Sequence, residues 1–150
     1  MKRKDILVVC AATLILAVAS GCATAGQTAD PIAIVKAANE RLAAGDLDGF
    51  MAYYAEEVVL SDAFGRLDGT AAIRDAYEAE LAKPARYELS DFRADGNVVT
   101  FTNKVYHGDS LMDTFSALDV IIDGKIIFDG TAETYQKECQ ADPSQKFCQK

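Results

Sequence analysis

Two Asp-Gly turns in the second half of the chain constrain its fold most strongly. The first lies in Asp-Gly-Asn at 95–97, between the apolar-rich segments 86–94 and 98–107. The second lies in Asp-Gly-Lys at 123–125, between the segments 111–122 and 125–131. Asp-Gly between two such segments is a strong hairpin signal, because both residues tolerate the positive φ angles of a tight turn. The residues after Pro84 therefore predict a long antiparallel meander.

The residues before Pro84 predict three helices. The first begins after Asp30, which caps it, and ends at Gly45; a short one covers 46–55, and the third covers 68–83. A short strand is predicted at 58–61. Helices followed by a meander indicate an α+β fold, in which three N-terminal helices wrap a curved, mostly antiparallel sheet. The concave side of such a sheet has to be filled by side chains or by a ligand.

The N-terminus is typical of an exported bacterial protein. Three cationic residues at 2–4 precede an apolar run at 6–18, which is shorter than the roughly 20 residues of a membrane span. The segment "VASGC" resembles a lipobox, so 1–21 is predicted to be a signal peptide, Cys22 the lipidated residue and 22–29 a tether. The product would be a membrane lipoprotein facing the periplasm, and Ala23 favours the outer membrane in a Gram-negative cell. The alternative is cleavage after Ala25, which would release a soluble protein.

The two remaining cysteines of the mature chain are predicted to form a disulfide. Cys139 and Cys148 flank the turn-forming Asp-Pro-Ser of a short segment, and an oxidising compartment favours the bond. The alternative is two free thiols in a frayed tail. We therefore divide the mature chain after its tether into a domain at 30–135 and a C-terminal tail at 136–150.

Charge argues against nucleic acid as a partner. The whole chain has 15 basic and 23 acidic residues, a net charge of −8, and loss of the signal peptide makes the balance more negative. Phosphate backbones would be repelled, and membrane attachment would depend on the lipid alone. With a single histidine, His107, and no phosphate-binding loop, neither a metal site nor a cofactor is predicted.

Four segments in sequence resemble the nuclear transport factor 2-like superfamily, and its SnoaL-like and ketosteroid-isomerase-like branch in particular. They are "AGD" between two helices, "YAEEVVLSD" entering a strand, "DGTAAIRDAY" on the third helix and the hairpin "DVIIDGKI". The resemblance covers residues 32–132. It implies a cone-shaped barrel around an apolar pocket, a small apolar ligand, and a homodimer formed through the sheet. The superfamily includes isomerases, cyclases and many members without catalysis, so the fold alone does not define the function.

The resemblance to the isomerase branch assigns roles to individual residues. Asp62 falls on the general base that moves a proton between carbons, and Asp119 falls on the neutral acid that hydrogen-bonds the substrate oxyanion. Tyr54 and Tyr77 fall near tyrosines that support the oxyanion network. The main oxyanion tyrosine of the first helix is not carried over, because its position is occupied by Ala38.

Each of these carboxyl groups also has a purely structural interpretation. Asp62 ends a strand and could bond its own backbone in a turn, and Asp119 could satisfy donors in the core. By period-two alternation, Asn103 shares a face with apolar neighbours of its strand. We therefore expect the ligand-binding residues to be Tyr54, Tyr77, Phe101, Asn103 and Phe115. The bulky Phe64, Phe101 and Phe115 could instead fill the concave side.

Three functions are consistent with these residues. The first is a tethered domain that binds a small, largely apolar molecule. The second is an isomerase-like or cyclase-like enzyme in which Asp62 is the general base for proton transfer next to a carbonyl. The third is a protein-interaction module.

Overall fold

The computed structural model describes residues 30–83 and 85–149. The predicted signal peptide, the tether and Cys22 lie outside these residues. The elements are α1 (Pro31–Ala43), α2 (Leu47–Met51), β1 (Tyr54–Asp62), β2 (Gly65–Asp68), α3 (Gly69–Leu81), β3 (Ala85–Asp95), β4 (Val98–His107), β5 (Ser110–Ile122), β6 (Lys125–Thr131), α4 (Ala132–Ala141) and a 3₁₀ helix (Lys146–Cys148). Of the helices in the described ranges, none has the length and apolar character needed to cross a membrane.

The strands form one six-stranded sheet in the order β2–β1–β6–β5–β4–β3. All neighbouring strands are antiparallel except β1 and β6, which are parallel. Strand β1 begins at Tyr54, earlier than the predicted segment 58–61, because its first residues already pair with β6. The predicted fold class is confirmed: a curved, mostly antiparallel sheet with three N-terminal helices against it.

Both predicted Asp-Gly hairpins are present. Asp123 and Gly124 have φ angles of 52° and 75°, the pattern of a type I′ turn between β5 and β6. Gly96 has a φ of 61° in the turn between β3 and β4. These turns connect β3 to β4 and β5 to β6. In the neighbouring pair of β4 and β5, Val99 lies opposite Asp119.

Helices α1 to α3 pack on one side of the sheet, which we call the inner face. Helix α1 contributes a stripe at helical spacing, and the strands contribute alternating residues. The largest buried members are Ile34, Leu42, Phe50, Val58, Ile73, Val99, Phe101, Ile121 and Ile126. Side chains that alternate with these in the strands point to the opposite side, the outer face.

The outer face is covered by α4 and the 3₁₀ helix, so residues of the predicted tail form part of the core. Phe147 is buried, and its ring lies 4.8 Å from that of Phe128 in β6. Tyr135 of α4 packs against Phe128 at 5.4 Å and donates its hydroxyl proton to the carbonyl oxygen of Phe147. The aromatic contacts hold the C-terminal residues against β5 and β6.

The predicted disulfide joins Cys139 of α4 to Cys148, and the two Cα atoms lie 5.5 Å apart. It closes a loop over a sequence separation of 9 residues. Because Phe147 precedes Cys148, the covalent link keeps this ring against the outer face. The bond therefore restrains a segment that also contributes buried apolar surface.

Replacing both cysteines by serine is expected to lower the free energy of unfolding by about 2.5–3 kcal/mol, the loop-closure entropy of so short a loop. Urea denaturation followed by circular dichroism measures this difference. Wild-type protein under reducing conditions serves as the control and should unfold at the same urea concentration as the double variant. Equal midpoints for oxidised wild type and double variant would contradict the assigned role.

Candidate functional site

A pair of aspartates occupies the inner face where β5 and β6 lie side by side. Asp119 and Asp129 are direct partners in the antiparallel register. Asp119 alternates with Ala117 and Ile121, both of which belong to the inner core. Directly opposite residues on one face have Cβ atoms about 4.5–5.5 Å apart, so the two carboxyl groups are neighbours.

Two tyrosines hold the second of these aspartates. The hydroxyl of Tyr54 donates to Oδ2 of Asp129 at 2.7 Å, and the hydroxyl of Tyr77 donates to the same oxygen at 2.9 Å. Tyr54 begins β1 and Tyr77 lies on α3. The ring of Phe50 packs edge-on against both tyrosines, with centroid distances of 4.9 and 4.6 Å. The predicted tyrosines therefore converge on a carboxyl group to which the sequence had assigned no role.

Asp129 is the functional residue that sequence reasoning missed. It follows a buried apolar run, Ile126 to Phe128, in a predicted strand. Asp119 has the same setting, an acid inside an apolar strand, but it was named because of the family resemblance. In Asp129 the signal was obscured because the residue precedes Gly130 and forms an Asp-Gly pair that resembles the two turn signals.

The surroundings of the two aspartates drive their protonation states apart. Burial, and then the charge of Asp129, raise the pKa of Asp119 well above its usual value. Burial also raises the pKa of Asp129, but the hydrogen bonds from Tyr54 and Tyr77 lower it, and the charge of Asp62 raises it. We infer that Asp129 is the ionised member of the pair, because two phenol donors stabilise its charged form. Asp119 is the protonated member.

The tyrosines remain donors in this arrangement. Burial, followed by the charge of Asp129, raises the pKa of both Tyr54 and Tyr77 well above 10.0. Both hydroxyls are therefore protonated at neutral pH. The hydrogen-bond direction from tyrosine to carboxylate follows from this.

One carboxyl oxygen of Asp119 has no hydrogen-bond partner. Asp119 is only 4% exposed, and its Oδ1 has no partner among the residues that the structure describes. A buried polar atom without a partner costs about 1–3 kcal/mol. The protonated carboxyl is therefore a donor group available to another molecule.

The stability of the protein is expected to depend on pH through Asp119. Its folded pKa is raised, so its contribution is complete below the unfolded value of about 3.9 and is lost as pH rises through the folded pKa. Asp119→Asn lacks this titration, and the variant should gain stability relative to wild type between pH 4 and pH 7. Urea unfolding at both pH values gives this difference. Asp113→Asn, an exposed site on the same strand, is the control.

Asp62 ends β1 at the turn into β2, near the aspartate pair but outside it. Its Oδ1 accepts hydrogen bonds from the backbone N–H groups of Phe64 at 2.7 Å and Gly65 at 3.2 Å. This is the turn-stabilising geometry expected of a strand-ending aspartate. Asp62 alternates with Leu60, which packs against the inner core, so it lies on the inner side of β1, and its charge raises the pKa of Asp129. Phe64 beside it is 99% exposed and fills no part of the inner face.

The other predicted ligand-binding residues lie further along the inner face. Phe101 is buried, and its ring stacks on Phe92 at a centroid distance of 5.4 Å. Asn103 lies opposite Phe115 in the register of β4 and β5. Phe115 is more than one-third exposed, whereas Ala117 and the next four residues of β5 are buried. The inner face therefore has a deep end at Asp119 and an outer end at Phe115.

A separate groove of about 910 Å³ lies between α2, α3 and the beginnings of β1 and β6. Its cationic side chains have partners, since Arg74 pairs with Asp48 and Lys146 pairs with Glu57. The groove contains none of Asp62, Asp119 and Asp129. Tyr54, which donates to Asp129, is among its lining residues.

A protein-family model matches the part of the chain that contains most of these residues. The SnoaL-like domain model matches residues 35–128, more than half of the chain, so the chain belongs to the SnoaL-like domain family. The match includes Asp62, Asp119 and the two tyrosines and ends directly before Asp129. The predicted family resemblance is confirmed.

Solved structures with the same fold include proteins of different proposed activities. A proposed polyketide cyclase from Sinorhizobium meliloti is 22% identical, with a TM-score of 0.59, and the match covers 67% of this chain and 97% of that chain. A proposed ketosteroid isomerase from Kribbella flavida is 18% identical, with a TM-score of 0.61 and coverage of 67% and 74%. An NTF2-like protein of unknown function from Cytophaga hutchinsonii is 14% identical, with a TM-score of 0.60 and coverage of 67% and 87%. At these identities the likeness establishes the fold alone.

Proposed function

We propose that this chain is a membrane-tethered SnoaL-like domain that binds a small, largely apolar molecule on its inner face. The bound molecule carries a hydrogen-bond acceptor, such as a carbonyl oxygen, which accepts a hydrogen bond from the protonated carboxyl group of Asp119. The observation that carries this proposal is the buried Oδ1 of Asp119, which lacks a partner in the described part of the chain. A ligand acceptor would remove the cost of that unpaired group.

The surroundings of Asp119 support an apolar ligand. Val99 lies opposite Asp119 on β4, and Phe101 lies opposite Ala117 one step further along the same face. All three of these neighbours are buried and belong to the inner core. A site with one polar donor among apolar walls favours a molecule that is apolar over most of its surface.

The binding test uses a panel of cyclic ketones and the mature chain with Cys22→Ser, which prevents lipidation. Calorimetry should give at least tenfold weaker binding for Asp119→Leu, because this change removes the donor at similar volume. Asp119→Asn keeps an N–H donor and should retain more of the affinity. Asp113→Asn should bind like wild type. Unchanged affinity in Asp119→Leu would contradict the proposal.

A second candidate function is proton transfer by Asp62 acting as a general base. It is supported by the position of Asp62 beside the acidic pair, where its charge acts on Asp129. In this alternative Asp119 donates to the developing oxyanion while Asp62 removes a proton from the adjacent carbon. The buried Ala38 supplies no second donor from the first helix.

The enzyme hypothesis is tested by exchange of solvent deuterium at the α-carbons of the same ketones, followed by NMR. Asp62→Asn removes the base but keeps the turn, because the asparagine oxygen still accepts hydrogen bonds from the backbone N–H groups of Phe64 and Gly65. Exchange that disappears in this variant would identify Asp62 as the base. Ketone binding without exchange would assign the domain to binding alone.

A third candidate is a protein-interaction module, including a homodimer through the sheet. It is supported by exposed apolar side chains on the outer part of β5, where Leu111 and Met112 are 54% and 65% exposed. Sedimentation velocity of wild type and Met112→Lys tests it. A dimer that dissociates in the variant would support an interface, and a monomer at all concentrations would exclude self-association.

The proposed membrane tether consists of residues that lie outside the described range. Lipidation of Cys22 would retain the protein in the membrane fraction of the producing bacterium, and Cys22→Ser would release it. An equal distribution of both forms would contradict the anchor.

A further inference from the structure

A second buried acceptor lies on the inner face, away from Asp119. The side-chain oxygen of Asn103 in β4 is buried, and no group within residues 30–83 and 85–149 donates a hydrogen bond to it. Two buried unpaired oxygens on one face of one sheet are unusual, because buried polar atoms in folded proteins nearly always have partners. The aspartate pair described above does not account for Asn103.

The register fixes how far apart these two groups are. Asn103 lies opposite Phe115, and Phe115 is four residues from Asp119 along β5. At about 3.3 Å per residue this separation is about 13 Å along the strand. The residues between them on the inner face are Phe101 and Ala117, which are both buried and apolar.

The two polar groups have opposite requirements. Asp119 carries a proton and needs an acceptor, whereas the amide oxygen of Asn103 needs a donor. The burial gradient of β5 places Asp119 at the deep end and Asn103 beside Phe115 at the outer end. Any molecule that satisfies both has to pass the apolar segment between them.

We propose that the ligand is an elongated, apolar molecule with a hydrogen-bond acceptor at its inner end and a donor, such as a hydroxyl, at its outer end. Hydrogen bonds of about 2.8 Å at each end leave roughly 8–13 Å between the two polar atoms of the ligand. This inference rests on the proposed binding function and specifies its ligand class. Asn103 selects for the length of the ligand and for a hydrogen-bond donor at its outer end.

The proposal is tested with two probes that differ by one group. One is an unbranched methyl ketone of about eleven carbons, and the other is the same ketone with a hydroxyl on its last carbon. Calorimetry on wild type should give about three- to tenfold tighter binding of the hydroxyketone, the value of one neutral hydrogen bond. A hydroxyketone of five carbons should show no such gain, because it cannot reach both groups.

Variants separate this inference from the binding function itself. Asn103→Leu should abolish the gain from the hydroxyl, and it removes an unpaired buried group, so folding is retained. Asn103→Ser, with a shorter side chain, should show a reduced gain. Thr102→Val, whose side chain alternates to the outer face, should keep the full gain. Asp119→Leu should weaken both probes equally.

Two results would overturn the inference while the binding function stands. One is a plain ketone that binds in an Asp119-dependent manner with no gain from the hydroxyl. The other is a gain that persists in Asn103→Leu. If neither probe binds to wild type, the binding function fails, and the ligand class fails with it.

Discussion

Gly130→Ala is expected to lower the free energy of unfolding by about 3 kcal/mol or more. A Cβ added at Gly130 would collide with the carbonyl oxygen of Ser61 in the paired strand β1, and would lie 2.9 Å from Oγ1 of Thr134. Because the first obstacle is backbone, relief requires β1 and β6 to separate. Chemical denaturation of the purified protein measures the loss.

The matched control is Gly124→Ala. Gly124 also follows an aspartate, but an added Cβ there has no atom within 4 Å, and the only cost is its positive φ. That cost is about 1–2 kcal/mol. Two glycine variants with equal destabilisation would contradict the close approach of β1 and β6 at Gly130.

Asp129→Ala is expected to cost about 3–5 kcal/mol. The change leaves the hydroxyls of Tyr54 and Tyr77 without their common acceptor, and hydrogen bonds to a charged group contribute about 1.5–3 kcal/mol each. Loss of the negative charge near Asp119 offsets part of this cost. Urea unfolding at pH 7 gives the difference.

Asp129→Asn is the control for shape, since it keeps an acceptor oxygen for both tyrosines. It should cost less than half as much as Asp129→Ala. Tyr54→Phe and Tyr77→Phe each remove one donor and should have smaller effects than Asp129→Ala. If Asp129→Ala were no more destabilising than either single tyrosine variant, the convergence of both hydroxyls on Asp129 would be refuted.

The sequence predicted the fold because local signals agreed with one another. The Asp-Gly turns, the capped first helix and the alternating strands all indicated one α+β arrangement. The early start of β1 was missed, since Tyr54 enters the strand through pairing with β6, a contact 72 residues distant in the register. Pairing between distant segments has no local sequence signal.

The site was predicted in part. Asp119, Tyr54 and Tyr77 were named, but their connection was not, because it depends on Asp129. An Asp-Gly pair favours a turn where its flanks are free to reverse direction. At 129–130 the glycine instead permits close approach of a neighbouring strand, which only the packed structure reveals.

We infer from the family resemblance that Ala38 occupies the position of the main oxyanion tyrosine of the isomerase branch; its side chain is buried in the inner core. The polar character of this site comes from the opposite wall, where β5 and β6 bring two aspartates together. A ligand would therefore meet a carboxyl donor supported by an ionised neighbour.

We infer that Asp119 is protonated beside an ionised, tyrosine-bound Asp129. The most direct test is NMR titration of the side-chain carboxyl carbons, with Asp119→Asn and Asp129→Asn used to assign the two signals. We expect the Asp119 signal to stay unchanged through the range near pH 3.9 that is usual for an aspartate side chain. An Asp119 signal that changes within this range would contradict the assignment.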